Sequence, residues 1–253
     1  MAGKSLSVRT NTDSGLLKLV AITSMVIDHL GASLFPQYFT MRIIGRIAFP
    51  IFAYCISLGC CRTKNIALYA LRVLLLAIIS QPIYVTAMGH VAANTFVWKT
   101  CYYRIDLILE HYYFVHPNVL FTLFLSILMI WTIRAKKYPL TFVVFAVTWY
   151  LRGSLDYGIE GIILILLFYC FREHPLSSLI WVAGFMVWWG TPQLRSGFVL
   201  PWNITRLYAQ FYALMALPFI YIPMNTGLKI NKYVFYAFYP AHLILIYILR
   251  YFA

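Results

Sequence analysis

Asp28 and His29 stand side by side near the end of one apolar run, and Arg42 and Arg46 stand four residues apart at the start of the next. An imidazole is the side chain best suited to take up and return a proton at neutral pH, and a neighbouring carboxylate can hold its ring in one tautomer and stabilise the imidazolium. Consecutive helical residues point about 100° apart, however, so Asp28 has two readings: partner of His29, or partner of an arginine from the next segment. Two guanidiniums at i and i+4 share a helix face and suit a phosphate, a carboxylate, or an acid such as Asp28 or Asp156. A charge costs roughly 2.5 to 3.5 kcal/mol at the centre of a membrane helix, so each of these groups calls for a partner or a cavity.

Further candidates lie downstream. "DYGIEG", residues 156–161, offers Asp156, Tyr157 and Glu160 at the opening of an apolar run; Asp156 could also serve as a helix cap, whereas Glu160 lies a turn deeper. "FYPAHLILIY" places Tyr239, Pro240 and His242 inside the last apolar run, where His242 is either a hydrogen-bonded core residue or a second candidate base. Asp156, Tyr157, Glu160 and Tyr239 are candidate substrate contacts together with Arg42 and Arg46. Arg62, Lys64, Arg134 and Lys136 flank apolar runs, where they set membrane topology.

The elements that must hold these groups are membrane helices. The 253-residue chain is 62% hydrophobic, 18% aromatic and only 11% charged, against about 25% charged residues in ordinary soluble domains. Its net charge of +13 lies at the edges of apolar runs, not in a patch interleaved with exposed aromatics, which argues against nucleic acid. Nine segments are apolar enough to be candidate crossings of a ~30 Å hydrocarbon layer: 16–35, 43–60, 66–88, 118–133, 138–152, 156–172, 177–191, 205–223 and 234–252. The predicted fold is therefore an all-α polytopic membrane protein. It has one membrane domain over residues 16–253, preceded by a polar tail over 1–15 with no cleavable signal.

The clusters "RTK" at 62–64 and "RAKK" at 134–137 favour a cytoplasmic amino terminus. Asp28, Asp106, Glu110, Asp156 and Glu160 then fall on or near the outer side. A long connection over 89–117, carrying Arg104, Asp106, Glu110, His111 and His116, suits an interfacial helix or a lid. Pro50 is expected to bend the second span. The five cysteines have neither CxxC spacing nor histidine pairing, so no metal site is expected. GxSxG, GxxxxGK[ST], HExxH and GxGxxG are all missing, which removes the usual hydrolase, ATPase and zinc-peptidase readings.

The blocks "LLKLVAITSMVIDHLG", "RIIGRIAFPIFAYCISLG", "NVLFTL", "DYGIEGIILILLFYCFR" and "FYAFYPAHLILIY" run across nearly the whole chain, and together they resemble the TraX family. That family's best-known member acetylates the amino terminus of conjugative pilin, and it looks like a branch of the transmembrane acyltransferases that include heparan glucosaminide acetyltransferase. The resemblance implies a multi-pass protein of the bacterial cytoplasmic membrane that uses acetyl-CoA as donor, with Arg62, Lys64, Arg134 and Lys136 as candidate contacts for its phosphates, and a peptide, pilin or glycan as acceptor. It also implies His29 as base with Asp28 as its partner, and Arg42 and Arg46 shaping the pocket; His242 stays open as the alternative base. Two other readings stand beside an N-acetyltransferase: an O-acyltransferase for an envelope glycan or lipid, and a non-enzymatic transporter or assembly factor.

Overall fold

The computed structural model describes residues 9–89, 116–191 and 209–252. Most of the expected 89–117 connection lies outside them, and with it Arg104, Asp106, Glu110 and His111. Among the described residues the chain is helical and contains no strand. In order, the helices are α1 (Ser14–Ser33), α2 (Phe39–Gly45), α3 (Ala48–Arg62), α4 (Ile66–Ala87), α5 (Val119–Arg134), α6 (Tyr138–Leu151), α7 (Gly158–Cys170) and α8 (Pro175–Gly190). A 3-10 run follows at Ala209–Ala216, then α9 (Leu217–Tyr221) and α10 (Lys232–Phe252).

Four stretches are long and apolar enough to cross a membrane: Ser14–Ser33, Phe39–Arg62, Ile66–Ala87 and Tyr233–Phe252. The other five predicted segments appear as shorter apolar helices. At 1.5 Å per residue, the 13 residues of α7 or the 16 of α5 reach only roughly 20 to 24 Å. Nine full crossings are therefore not established by these lengths. What marks the chain as a multi-pass membrane protein is that its helices are apolar on their outward faces too. Ile79 on α4, Phe142 and Tyr150 on α6, Ile180 on α8 and Leu245 on α10 are all exposed, a pattern that water would penalise and lipid would not.

The described chain divides into two compact units. The first comprises residues up to 28, 39–58 and 164–230. Its core holds Leu17, Ala21, Phe49, Ile51, Met186 and Ile220, all essentially inaccessible. The last residues of the polar leader are folded into this unit. Asn11 is buried; its amide donates to the Ile220 carbonyl, its side chain donates to the Phe219 carbonyl, and its own carbonyl accepts from the Tyr54 hydroxyl. Asp13 then caps α1 through Leu16 N–H and receives both the N–H and the hydroxyl of Thr226.

The second unit comprises 29–38, 59–163 and the described residues from 231 onward, and is built on α4, which packs against both α5 and α10. A buried polar knot fixes the α4–α5 register. Asn118 caps α5 at Leu120 N–H while its side chain donates to the Ala77 carbonyl and to Gln81 Oε1, and Gln81 in turn donates to the His116 carbonyl. Such hydrogen bonds hold helices where no hydrophobic effect drives them together. At the other end of this unit the Arg134 guanidinium donates to the Cys60 carbonyl at 3.0 Å, so the basic turns at 62–64 and 134–137 share one end.

The second span, Phe39–Arg62, is interrupted four residues before Pro50, where a proline leaves the i−4 carbonyl, that of Arg46, without its helical partner. The break lies at Arg46–Ile47, between α2 and α3, and Pro50 occupies the first turn of α3. A proline's missing N–H costs little there, because the first helical N–H groups have no partner inside the helix.

Candidate functional site

The end of α4 gathers two other helix ends within the second unit. Ser33, at the end of α1, donates its hydroxyl to the Ala87 carbonyl at 2.6 Å, and Arg250 near the end of α10 reaches the same oxygen at 3.4 Å. Gly89 lies beside the Arg250 guanidinium with φ +77°, a backbone conformation that strains any residue with a side chain. One turn before Ser33 comes His29; two turns before Arg250 comes His242. The packing that joins these helix ends thus brings together two histidines 213 residues apart in sequence.

Both histidines are buried, at 8% and 5% exposure. His29 Nδ1 lies 2.9 Å from His242 Nε2, and His242 Nδ1 lies 3.0 Å from the Phe238 carbonyl oxygen. A carbonyl oxygen only accepts, so His242 Nδ1 must carry a proton. In the neutral ring Nε2 is then bare, and the shared hydrogen bond is donated by His29 Nδ1. The basic lone pair of His29 therefore falls on Nε2. The rings are held in this alignment by aromatic neighbours: Phe238 stacks on His242 with centroids 5.4 Å apart, and Tyr84 of α4 meets His29 edge-on at 6.3 Å. Of the two candidate bases, His242 is fixed by the backbone carbonyl of Phe238, and His29 is aligned by His242.

Asp28 is not the partner of the imidazole. Within the first unit its carboxylate receives Arg42 Nη1 at 2.8 Å and Arg46 Nη2 at 2.8 and 2.9 Å, while Arg42 also donates to the Asp28 carbonyl at 3.1 Å. Residues 28 and 29 point in different directions on α1, as helical geometry requires, so the second of the two sequence readings holds. The approach of α2 depends on Gly45, since any Cβ there would overlap the Asp28 side chain. Asp28 is 8% exposed, and two cations on one carboxylate leave the cluster one net positive charge.

Asp156 and Tyr157 precede α7 in the second unit. Asp156 is exposed and Tyr157 half-buried. The Tyr239 ring meets His242 edge-on at 5.4 Å; its hydroxyl is buried and has no hydrogen-bond partner among the described residues. Glu160 lies in the first turn of α7, its carboxylate folded back over Gly158.

Arg62, Lys64, Arg134 and Lys136 are exposed at the opposite end of α4 from Ala87, roughly 33 Å along a 22-residue helix. The structure therefore does not bring them to the histidine pair. Among the described residues no group of histidines, cysteines and acids could hold a metal ion. A groove of about 420 Å³ opens in the first unit against Arg9, Leu179, Leu217 and Tyr221 and includes none of the predicted site residues.

Sequence reasoning did not single out Phe238, Tyr84 or the Gln81–Asn118 knot as parts of this arrangement. Phe238 acts through its backbone carbonyl, which no residue type announces. Asn118 ahead of an apolar run does carry the signature of a helix cap, and Gln81 is a polar residue inside an otherwise oily helix; both were detectable signals.

Comparison with known proteins agrees with the blocks quoted above. The chain is 26% identical over 239 residues to the probable fimbrial assembly protein FimC, serogroup H1, of Dichelobacter nodosus, covering 91% of this chain and 92% of that one. A second relative, the uncharacterized protein RP591 of Rickettsia prowazekii (strain Madrid E), is 54% identical over 39 residues, 15% of this chain and 16% of the relative. No solved structure matches. The family described as TraX protein matches residues 13–250, and the chain belongs to that family.

Proposed function

We propose that this protein is a membrane acetyltransferase that moves an acetyl group from acetyl-CoA to an amine, such as the amino terminus of a peptide or pilin, at the end of the second unit that carries the histidine pair. The observation that supports it best is the buried relay from the Phe238 carbonyl through His242 to His29, which leaves a basic nitrogen of fixed orientation on His29. Family membership and the likeness to a fimbrial assembly protein support a pilus-related acceptor.

An ammonium must lose a proton before it can attack a thioester. In this reading His29 Nε2 takes that proton, and the freed lone pair forms a bond to the thioester carbonyl carbon. The tetrahedral intermediate collapses with cleavage of the C–S bond, the second amine proton leaves with coenzyme A as its thiol, and the proton on His29 returns to water. His242 keeps His29 in the productive tautomer and shares the positive charge while the proton is held. Buried donors positioned before the reaction begins are worth most in a dry site, and a helix bundle in lipid supplies one.

The test is direct. The purified full chain in detergent is incubated with isotopically labelled acetyl-CoA and a peptide bearing a free amino terminus. The expected result is label on the peptide amine, with one free coenzyme A thiol appearing for each acetyl transferred. Hydrolysis without transfer, or no thiol release, would refute the reading.

A further inference from the structure

The groove in the first unit runs along α9 beside the start of α8. Leu179 stands one turn into α8, Leu217, Pro218 and Tyr221 belong to α9, and Ile222 follows it directly. These side chains make its walls apolar, and its volume of about 420 Å³ falls within the roughly 300–1,000 Å³ of ligand sites. The buried hydroxyls of Ser178 and Tyr221 share a 2.7 Å hydrogen bond that ties α8 to α9, so the two sides of the groove are fixed to each other.

One lining residue is a cation. Arg9 is brought to the groove because Asn11, two residues on, is locked in place. The Asn11 amide and side chain donate to the Ile220 and Phe219 carbonyls of α9, and its own carbonyl accepts from the Tyr54 hydroxyl. The acids of this unit are engaged elsewhere: Asp28 by Arg42 and Arg46, Asp13 by Leu16 and Thr226, and Glu173 by Arg172 at 3.1 Å. Among the described residues Arg9 makes no hydrogen bond and no ion pair. Its depth follows from the helices. Arg9 precedes α1, a 20-residue helix long enough to cross the hydrocarbon layer, so its guanidinium sits at headgroup level. The apolar wall begins one turn inside α8.

A ligand that matches this pairing carries a phosphate at one end and hydrocarbon at the other, because a guanidinium suits phosphate and an acyl chain needs only apolar walls. We infer that the groove binds an anionic phospholipid, with its phosphate on Arg9 and one acyl chain along Leu179, Leu217 and Ile222. A small soluble anion would use Arg9 alone and leave the walls unfilled. A zwitterionic lipid would fill the walls but bring its own cation to Arg9. The site uses neither histidine and is independent of the acetyl-transfer reading.

The test takes the full chain, delipidated in nonionic detergent, and titrates it with phosphatidylglycerol or with phosphatidylcholine of the same acyl chains, reading bound lipid by native mass spectrometry. A hydrogen-bonded contact to a charged group is worth about tenfold or more in affinity. Wild type should therefore bind the anionic lipid at least about tenfold more tightly than the zwitterionic one. Arg9 is exposed, so Arg9→Gln should keep the wild-type unfolding temperature while bringing the two affinities within about twofold. Leu179→Trp, which fills the groove, should weaken both lipids and leave the preference in place. Equal affinities in wild type, an Arg9→Gln protein that keeps the preference, or a folded Leu179→Trp protein that binds both lipids as wild type does would overturn the site. Displacement of bound phosphatidylglycerol by equimolar inorganic phosphate or coenzyme A would overturn it too, and would mark the groove as a site for a soluble phosphate compound.

Discussion

Replacing Asp28 with alanine removes a carboxylate that accepts three side-chain hydrogen bonds from two arginines and leaves both cations facing each other. The side-chain exposures are 11% for Asp28, 14% for Arg46 and 32% for Arg42. Breaking a buried ion pair from one side costs about 3–5 kcal/mol. Arg42 is exposed enough to swing toward water, so the low end applies, about 3 kcal/mol, or roughly 6 to 12 °C in unfolding temperature for a chain of this size. Arg46→Ala should cost less than Asp28→Ala, and Arg42→Ala the least, within about 1 kcal/mol, as for other half-exposed pairs. Thermal unfolding in detergent, followed by circular dichroism, measures all three. An Asp28→Ala protein as stable as wild type, or an Arg42→Ala protein as damaged as Asp28→Ala, would refute the clamp. Because the carboxylate serves the arginines and not the imidazole, the pH dependence of transfer by folded Asp28→Asn should overlay that of wild type.

Two further outcomes follow from the same geometry. Gly45→Ala should destabilise the protein at least as much as Asp28→Ala, since its Cβ would overlap the Asp28 Cβ as well as the carboxylate, and thermal unfolding of the double variant should show that truncating Asp28 to alanine does not restore the stability lost at Gly45. Asp13 is held from its ordinary 3.8 down to about 2, first by the Leu16 N–H and then by Thr226. A depressed carboxyl pKa gives stability that is fully present above the unfolded value and is lost as pH falls through the folded one. Asp13→Asn should therefore unfold at a lower temperature than wild type at pH 6, with the gap closing between about pH 4 and 2; a gap that is independent of pH would contradict the assignment.

Much of this architecture was legible in the chain because lipid imposes a coarse code. Apolar runs mark helices, basic clusters mark their ends, and any charge inside a run calls for a partner. Arg42 and Arg46 at i and i+4 with an acid on the preceding helix already contained the clamp as one of two readings. The choice between those readings was not legible. It depends on where α2 and α10 approach α1, and that is set by Gly45 on one side and by the Ser33–Ala87–Arg250 junction on the other. The pairing of His29 with His242 was hidden for the same reason, since both were evident as candidates and nothing local relates them across 213 residues. The tautomer was further out of reach, because it rests on the backbone carbonyl of Phe238. Helix lengths were misjudged where predicted segments ran beyond the helical ends, as in 156–172 against Gly158–Cys170.

The central claim is that His29 is the base of an acetyl transfer, and single-turnover transfer from labelled acetyl-CoA to a peptide amine, wild type against His29→Ala, tests it most directly. General-base catalysis contributes about 10²- to 10⁴-fold, so the variant, confirmed folded by its unfolding temperature, should lose at least about a hundredfold in rate while wild type turns over. A folded His29→Ala protein that transfers acetyl at the wild-type rate would contradict the account.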